Sequence, residues 1–121
     1  MVFALDSESG ELLALPSPVE SAAHCKPIDV QDGYWLFFAD DGSPLEARFE
    51  HPRRSEDSID PPGPFTLERP MSGRWLQERL EQVVSVKGCG LTRIDDVVET
   101  LKVNRAKRAA ADNSWRRKGN A

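Results

Sequence analysis

Residues 32–50 read DGYWLFFADDGSPLEARFE, two strand-like runs joined by Asp40-Asp41-Gly42. The first run, Tyr34-Trp35-Leu36-Phe37-Phe38, is apolar at every position, so both of its faces need cover. Its neighbour, Leu45-Glu46-Ala47-Arg48-Phe49-Glu50, alternates and can bury only one. Which apolar side chains remain on the second face depends on the turn. A two-residue type I′ loop at Asp41-Gly42 sets Phe38 against Leu45, Leu36 against Ala47 and Tyr34 against Phe49, leaving Trp35 and Phe37 beside Arg48 and Glu46. A three-residue loop, with Gly42 left-handed, shifts the register by one and brings Trp35 and Phe37 into the core instead. The Asp-Asp pair suits type I positions and Gly42 suits the bulge, which favours the second register.

In either register two or three large apolar side chains share a face with Glu46 and Arg48. Stacking on Arg48 shelters one of them, not three. The rest are covered by the first hairpin, a short helix or the C-terminal segment, or they belong to a protein–protein interface, where apolar surface is rimmed by charge. Acidic residues on or near this hairpin supply such a rim: Asp29, Asp32, Asp40, Asp41, Glu46 and Glu50, with Glu56, Asp57 and Asp60 just beyond.

Working outward, Val2–Leu5 and Leu12–Leu15 flank a polar turn ending at Gly10 and Glu11, which predicts a first hairpin. Ser17 with Pro18 and Glu20 has the capping-box pattern and opens a short helix through Cys25, which Pro27 ends. His51 to Pro64 is polar and proline-rich and reads as a long exposed loop, and Pro64–Glu68 alternates as a fifth strand. Ser72 then caps a predicted helix whose stripe is Trp75, Leu76, Leu80, Val83 and Val84, stopped by Gly88-Cys89-Gly90. Thr92 with Asp95 caps another, with Ile94, Val97, Val98 and Leu101 on one face. The expected fold is a single α+β domain over residues 1–103. Its antiparallel sheet has about five strands, and two C-terminal helices pack on one face. Residues 104–121 form a basic tail, either a solvated, fraying helix or disordered.

At 121 residues the chain has the length of one domain. Residues 1–60 carry 13 acidic and 4 basic side chains, a net of −9; residues 61–121 carry 7 and 12, a net of +5. This split gives the molecule an electrostatic direction able to steer a charged partner. Cys25 and Cys89 have no CxxC neighbour and imply free thiols in a reducing compartment. With neither a signal-peptide pattern nor a long apolar stretch, the expected location is the cytoplasm, without membrane contact.

Chemistry-bearing motifs are sparse. His24, Cys25, His51 and Cys89 lack the i, i+3 or i, i+4 spacing that sets two metal ligands on one helix face, so no metal and no cofactor is expected. Asp40-Asp41 is explained by turn formation and Asp95-Asp96 by a helix N-terminus. No GxSxG, HExxH or phosphate-binding glycine loop occurs, and an enzyme is not expected; one would need a concave pocket holding His24, His51 or Cys89 near several carboxylates. Arg105, Lys107, Arg108, Arg116, Arg117 and Lys118, with Trp115 among them, allow contacts to nucleic acid. The acidic first half and the absence of a reading motif oppose it.

The run Ile28-Asp29-Val30-Gln31-Asp32-Gly33-Tyr34-Trp35-Leu36-Phe37-Phe38-Ala39-Asp40-Asp41-Gly42-Ser43-Pro44-Leu45 has the form DV-x-D-G-Y-W-x-F-F-x-x-D-G-x-P-L, followed by a G-x-F-x-L at Gly63. It resembles small cytosolic immunity proteins encoded beside bacterial polymorphic toxins of the type VI secretion, Rhs and contact-dependent systems, over residues 20–70. The resemblance implies a non-catalytic role in which a preformed surface holds and neutralises a cognate toxin. Against a nuclease with a basic cleft, the acidic residues from Asp29 to Asp60 would take the place of a polyanion. Whichever of Tyr34, Trp35, Phe37 and Phe38 lies outside the core would be the anchor.

Overall fold

A computed structural model describes residues 1–49, 65–70 and 72–119. The chain forms β1 (Val2–Asp6), β2 (Glu11–Leu15), α1 (Pro18–His24), α2 (Pro27–Gln31), β3 (Trp35–Ala39), β4 (Pro44–Phe49) and β5 (Phe65–Glu68). Two 3-10 turns, Leu76–Glu78 and Leu80–Gln82, lead into β6 (Ser85–Lys87) and the long α3 (Ile94–Gly119). The strands make one six-stranded sheet in the order β5-β4-β3-β1-β2-β6, antiparallel except for the parallel pair of β2 with β6. The fold is α+β, with a mixed sheet of six strands where an antiparallel sheet of five was expected.

The hairpin of residues 34–49 closes through the three-residue loop. Ala39 N–H donates to Ser43 O at 2.8 Å, Gly42 takes φ +89°, and Phe37 pairs with Leu45. Central position explains why β3 is apolar throughout. Phe3 opposes Phe38 and Ala4 opposes Phe37, so both faces of β3 continue into a core. On one side Phe3, Leu5, Leu12 and Phe38 pack with Leu76, Val83, Val97 and Leu101 from the 3-10 turns and α3. On the other, Val2, Ala4, Leu15 and Phe37 pack with Cys25, Val30 and Phe65. Helices therefore cover both faces of the sheet.

Segment 72–88 departs most from expectation. Leu76, Leu80 and Val83 do turn inward, but through 3-10 turns, and Val84, expected on the same stripe, is 79% exposed. Val83-Val84-Ser85-Val86 is poor in helix propensity, and β2 presents an edge that Ser85, Val86 and Lys87 pair. Pro27 begins α2 rather than only ending α1, since its missing N–H costs nothing at a first helical position. Both expected caps change as well. Ser17 makes no side-chain cap bond. At α3, Asp96 rather than Asp95 accepts from the backbone N–H groups of Thr92 (3.3 Å) and Arg93 (3.2 Å). Beyond Leu101 the helix continues with mainly exposed residues as far as Ala111.

Candidate functional site

The turn Asp40–Ser43 is a junction. Three of its main-chain oxygens are taken up by the C-terminal half of the chain: Asn104 Nδ2 donates to Asp40 O at 3.0 Å, Gln77 Nε2 to Asp41 O at 2.8 Å, and Leu76 N–H to Gly42 O at 2.8 Å. The Asp41 carboxylate accepts from Ser43 N–H (3.0 Å), Ser43 Oγ (2.6 Å) and Arg108 Nη1 (2.7 Å). Burial alone would raise the Asp41 pKa, but the bonds from Ser43 and the Arg108 charge outweigh it and hold it below 3.8. Arg105 lies 5.3 Å from the centre of the Trp75 ring. Two of the cations that suggested nucleic-acid contact are thus engaged within the chain.

Asp41, expected in the acidic rim, is 1% exposed and serves the fold, and Phe37, expected as an anchor, is 3% exposed. Neither is a surface residue. Tyr34 is 41% exposed, with its carbonyl accepting from Ser7 N–H at 2.8 Å. Asp29 lies in α2, with Asp32 at its C-terminal end, and Asp40 is half-buried. Glu46 and Arg48 are exposed on β4. There Glu46 stands opposite Glu68 of β5, and Arg48 Nε bonds Glu68 at 2.8 Å, separating the like charges. Glu50, Glu56, Asp57 and Asp60 lie outside the described residues, as does the expected loop 51–64.

What the structure does bring together is a groove of about 440 Å³ where β3 and β4 part. The two strands pair only at Phe37 with Leu45 and Phe38 with Pro44, although β4 runs on to Phe49 and keeps its pairing with β5 along that length. Trp35, Phe37 and Glu46 line the opening together with Leu45, Ala47 and Phe49, the apolar positions of β4 that alternation alone places in the hairpin core. Val30 and Gln31 of α2 close one end. The ring of Phe65 packs 5.8 Å from Phe37 and 5.5 Å from Phe49, which fixes the floor. Sequence supplies the signal for this groove only indirectly, as a strand apolar on both faces next to one that alternates.

A second concavity, of about 390 Å³, lies between α1 and the β2–β6 edge and holds His24 and Cys89 with Glu11, Glu20 and Lys87. This is the kind of pocket that an enzyme would need. Its thiol donates to Ala14 O at 3.3 Å. Cys25 sits inside the sheet–α1 layer, where burial first, then Asp6 and Asp29, pushes its thiol up to about 12. Among the described residues no group of three or more His, Cys, Asp or Glu side chains is placed to hold a metal ion. Nor is any helix among them long and apolar enough to cross a membrane. No protein-family model, curated protein or solved structure matches the chain.

Proposed function

We infer that this chain is a protein-binding module of the immunity type, which holds and neutralises a cognate protein toxin at the groove between β3 and β4. The observation that carries the reading is the groove itself. Half-buried Trp35, Leu45, Ala47 and Phe49 form an apolar floor of the size of an anchor site, with the exposed carboxylate of Glu46 on its wall. Asp29 on the neighbouring α2 and Asp32 at its C-terminal end extend the negative charge, and the −9 net charge of residues 1–60 favours a basic partner. The resemblance of residues 20–70 to immunity proteins points the same way.

The test is neutralisation. The product of a neighbouring toxin gene is expressed with this chain, and growth and complex formation by the purified pair are measured. The wild-type chain is expected to restore growth and form a stable complex, and Trp35→Ala and Glu46→Lys, each checked for folding by circular dichroism, to lose both. Wild-type neutralisation by both folded variants would sink the groove as the interface.

A further inference from the structure

The hydrogen-bond phase of the parted strands says how a partner can fill the groove. Ala39 N–H donates to Ser43 O, so the odd-numbered residues of β3 turn their main-chain groups toward β4, and the odd-numbered residues of β4 turn theirs toward β3. Tyr34 O, accepting from Ser7 N–H, faces β1 and agrees with that alternation. Continued one step past Phe37 and Leu45, the ladder would join Trp35 to Ala47. That pair is not formed. The N–H and C=O groups of Trp35, Ala47 and Phe49 therefore point toward the groove, where the β3–β4 ladder supplies them no partner; the register pairs of Ala47 with Leu67 and Phe49 with Phe65 lie on the β5 side. The main-chain groups of Glu46 and Arg48 face β5 instead.

Resting on the binding-module reading above, we propose that the partner enters this groove as an extended segment that pairs with the main chain of Trp35, Ala47 and Phe49. Unpaired strand main chain is satisfied most directly by another strand, and strand addition takes its affinity from such bonds and its specificity from alternate side chains. The two surroundings of the groove differ. One side presents Trp35, Leu45, Ala47 and Phe49; the other presents Leu36 and the carboxylate of Glu46. A segment lying between them places alternate residues against each, so its pattern is aliphatic alternating with basic.

Hydrogen exchange on the full-length chain tests this, read at the amides of Trp35, Ala47 and Phe49. The probe is the capped peptide Lys-Val-Lys-Val-Lys-Val. Its controls carry Glu for Lys, or N-methyl groups on alternate amides. The Lys peptide is expected to slow these three amides by about tenfold at saturation, with Glu46 and Arg48 unchanged, and neither control to do so. Failure of the Lys peptide to bind, binding without slowing, or equal slowing by either control overturns the strand. So does protection already complete in the dilute free chain, or protection that grows with chain concentration alone, which would mark the chain itself or a second copy as the occupant. The same amides are then read in the toxin complex. Neutralisation without their protection overturns the strand and leaves the binding module standing, whereas absence of neutralisation overturns the binding module itself.

Discussion

Arg108 Nη1 stands 2.7 Å from Asp41 Oδ2, joining α3 to the tip of the β3–β4 hairpin across a sequence separation of 67 residues. The carboxylate side chain is 2% exposed and the guanidinium 42%. This asymmetry sets what each partner contributes. Asp41 is a desolvated charge held by three donors, whereas Arg108 keeps much of its hydration when the pair is broken.

Truncating the buried partner is therefore expected to be the more damaging change. Asp41→Ala should lower stability by about 2–3 kcal/mol, because the Ser43 bonds and the ion pair are lost together. Arg108→Ala should cost about 1 kcal/mol, since Ser43 still satisfies the carboxylate and the arginine itself is partly exposed. Urea unfolding of the two single variants and the double variant measures both values and their coupling. Equal losses would contradict the asymmetry.

Acid should unfold the protein partly through the same group. The folded Asp41 binds its proton less readily than the unfolded residue does, with its pKa below 3.8. The stability it contributes is present above pH 3.8 and is lost as the pH falls through the folded value. Stability followed by chemical denaturation from pH 6 downward should fall less steeply below about pH 4 in Asp41→Asn than in the wild type.

The two thiols should separate cleanly. Cys89 is exposed and Cys25 is 1% exposed with its pKa raised to about 12, so a disulfide reagent at neutral pH should count one thiol in the native protein and two after unfolding. The raised Cys25 value contributes stability that is complete below pH 9.0 and is lost as the pH climbs toward about 12. Cys25→Ala should reduce the loss of stability above pH 9.0, at the cost of a small cavity that is independent of pH.

Gly42 answers to two constraints. Its φ of +89° disfavours any side chain, and a Cβ there would collide with the amide of Gln77, whose Oε1 is buried without a hydrogen-bond partner. Gly42→Ala should destabilise by about 1–3 kcal/mol in thermal or urea unfolding. Combining it with Gln77→Ala should relieve the collision and leave only the backbone term, so that the two changes together cost less than their sum. Strict additivity would remove Gln77 from the account.

Local elements were legible where local chemistry decides them. Asp40-Asp41-Gly42 favoured a three-residue loop, since Asp-Asp suits the type I positions and Gly the left-handed one after them, and that loop put Trp35 and Phe37 on the face of Leu45 and Ala47. The β1–β2 hairpin and the short helix α1 were equally readable as elements. Segment 72–88 was not, because Leu76, Leu80 and Val83 meet the core at a helical spacing that two 3-10 turns also satisfy. Nor was the burial of Asp41, which resembles any turn aspartate until Arg108 is placed against it.

Side-chain period and turn chemistry act over a few residues, and they suffice to make this an α+β chain whose strand Tyr34–Phe38 needs cover on both faces. Tertiary structure alone decided what supplies that cover: α1 and α2 on one face, the 3-10 turns and α3 on the other, and β6 on the open edge of β2. It also decided that β3 and β4 part after two residue pairs and open the groove. These outcomes rest on competition between distant segments for the same apolar surface and the same unpaired main-chain groups, and no local pattern records which segment wins.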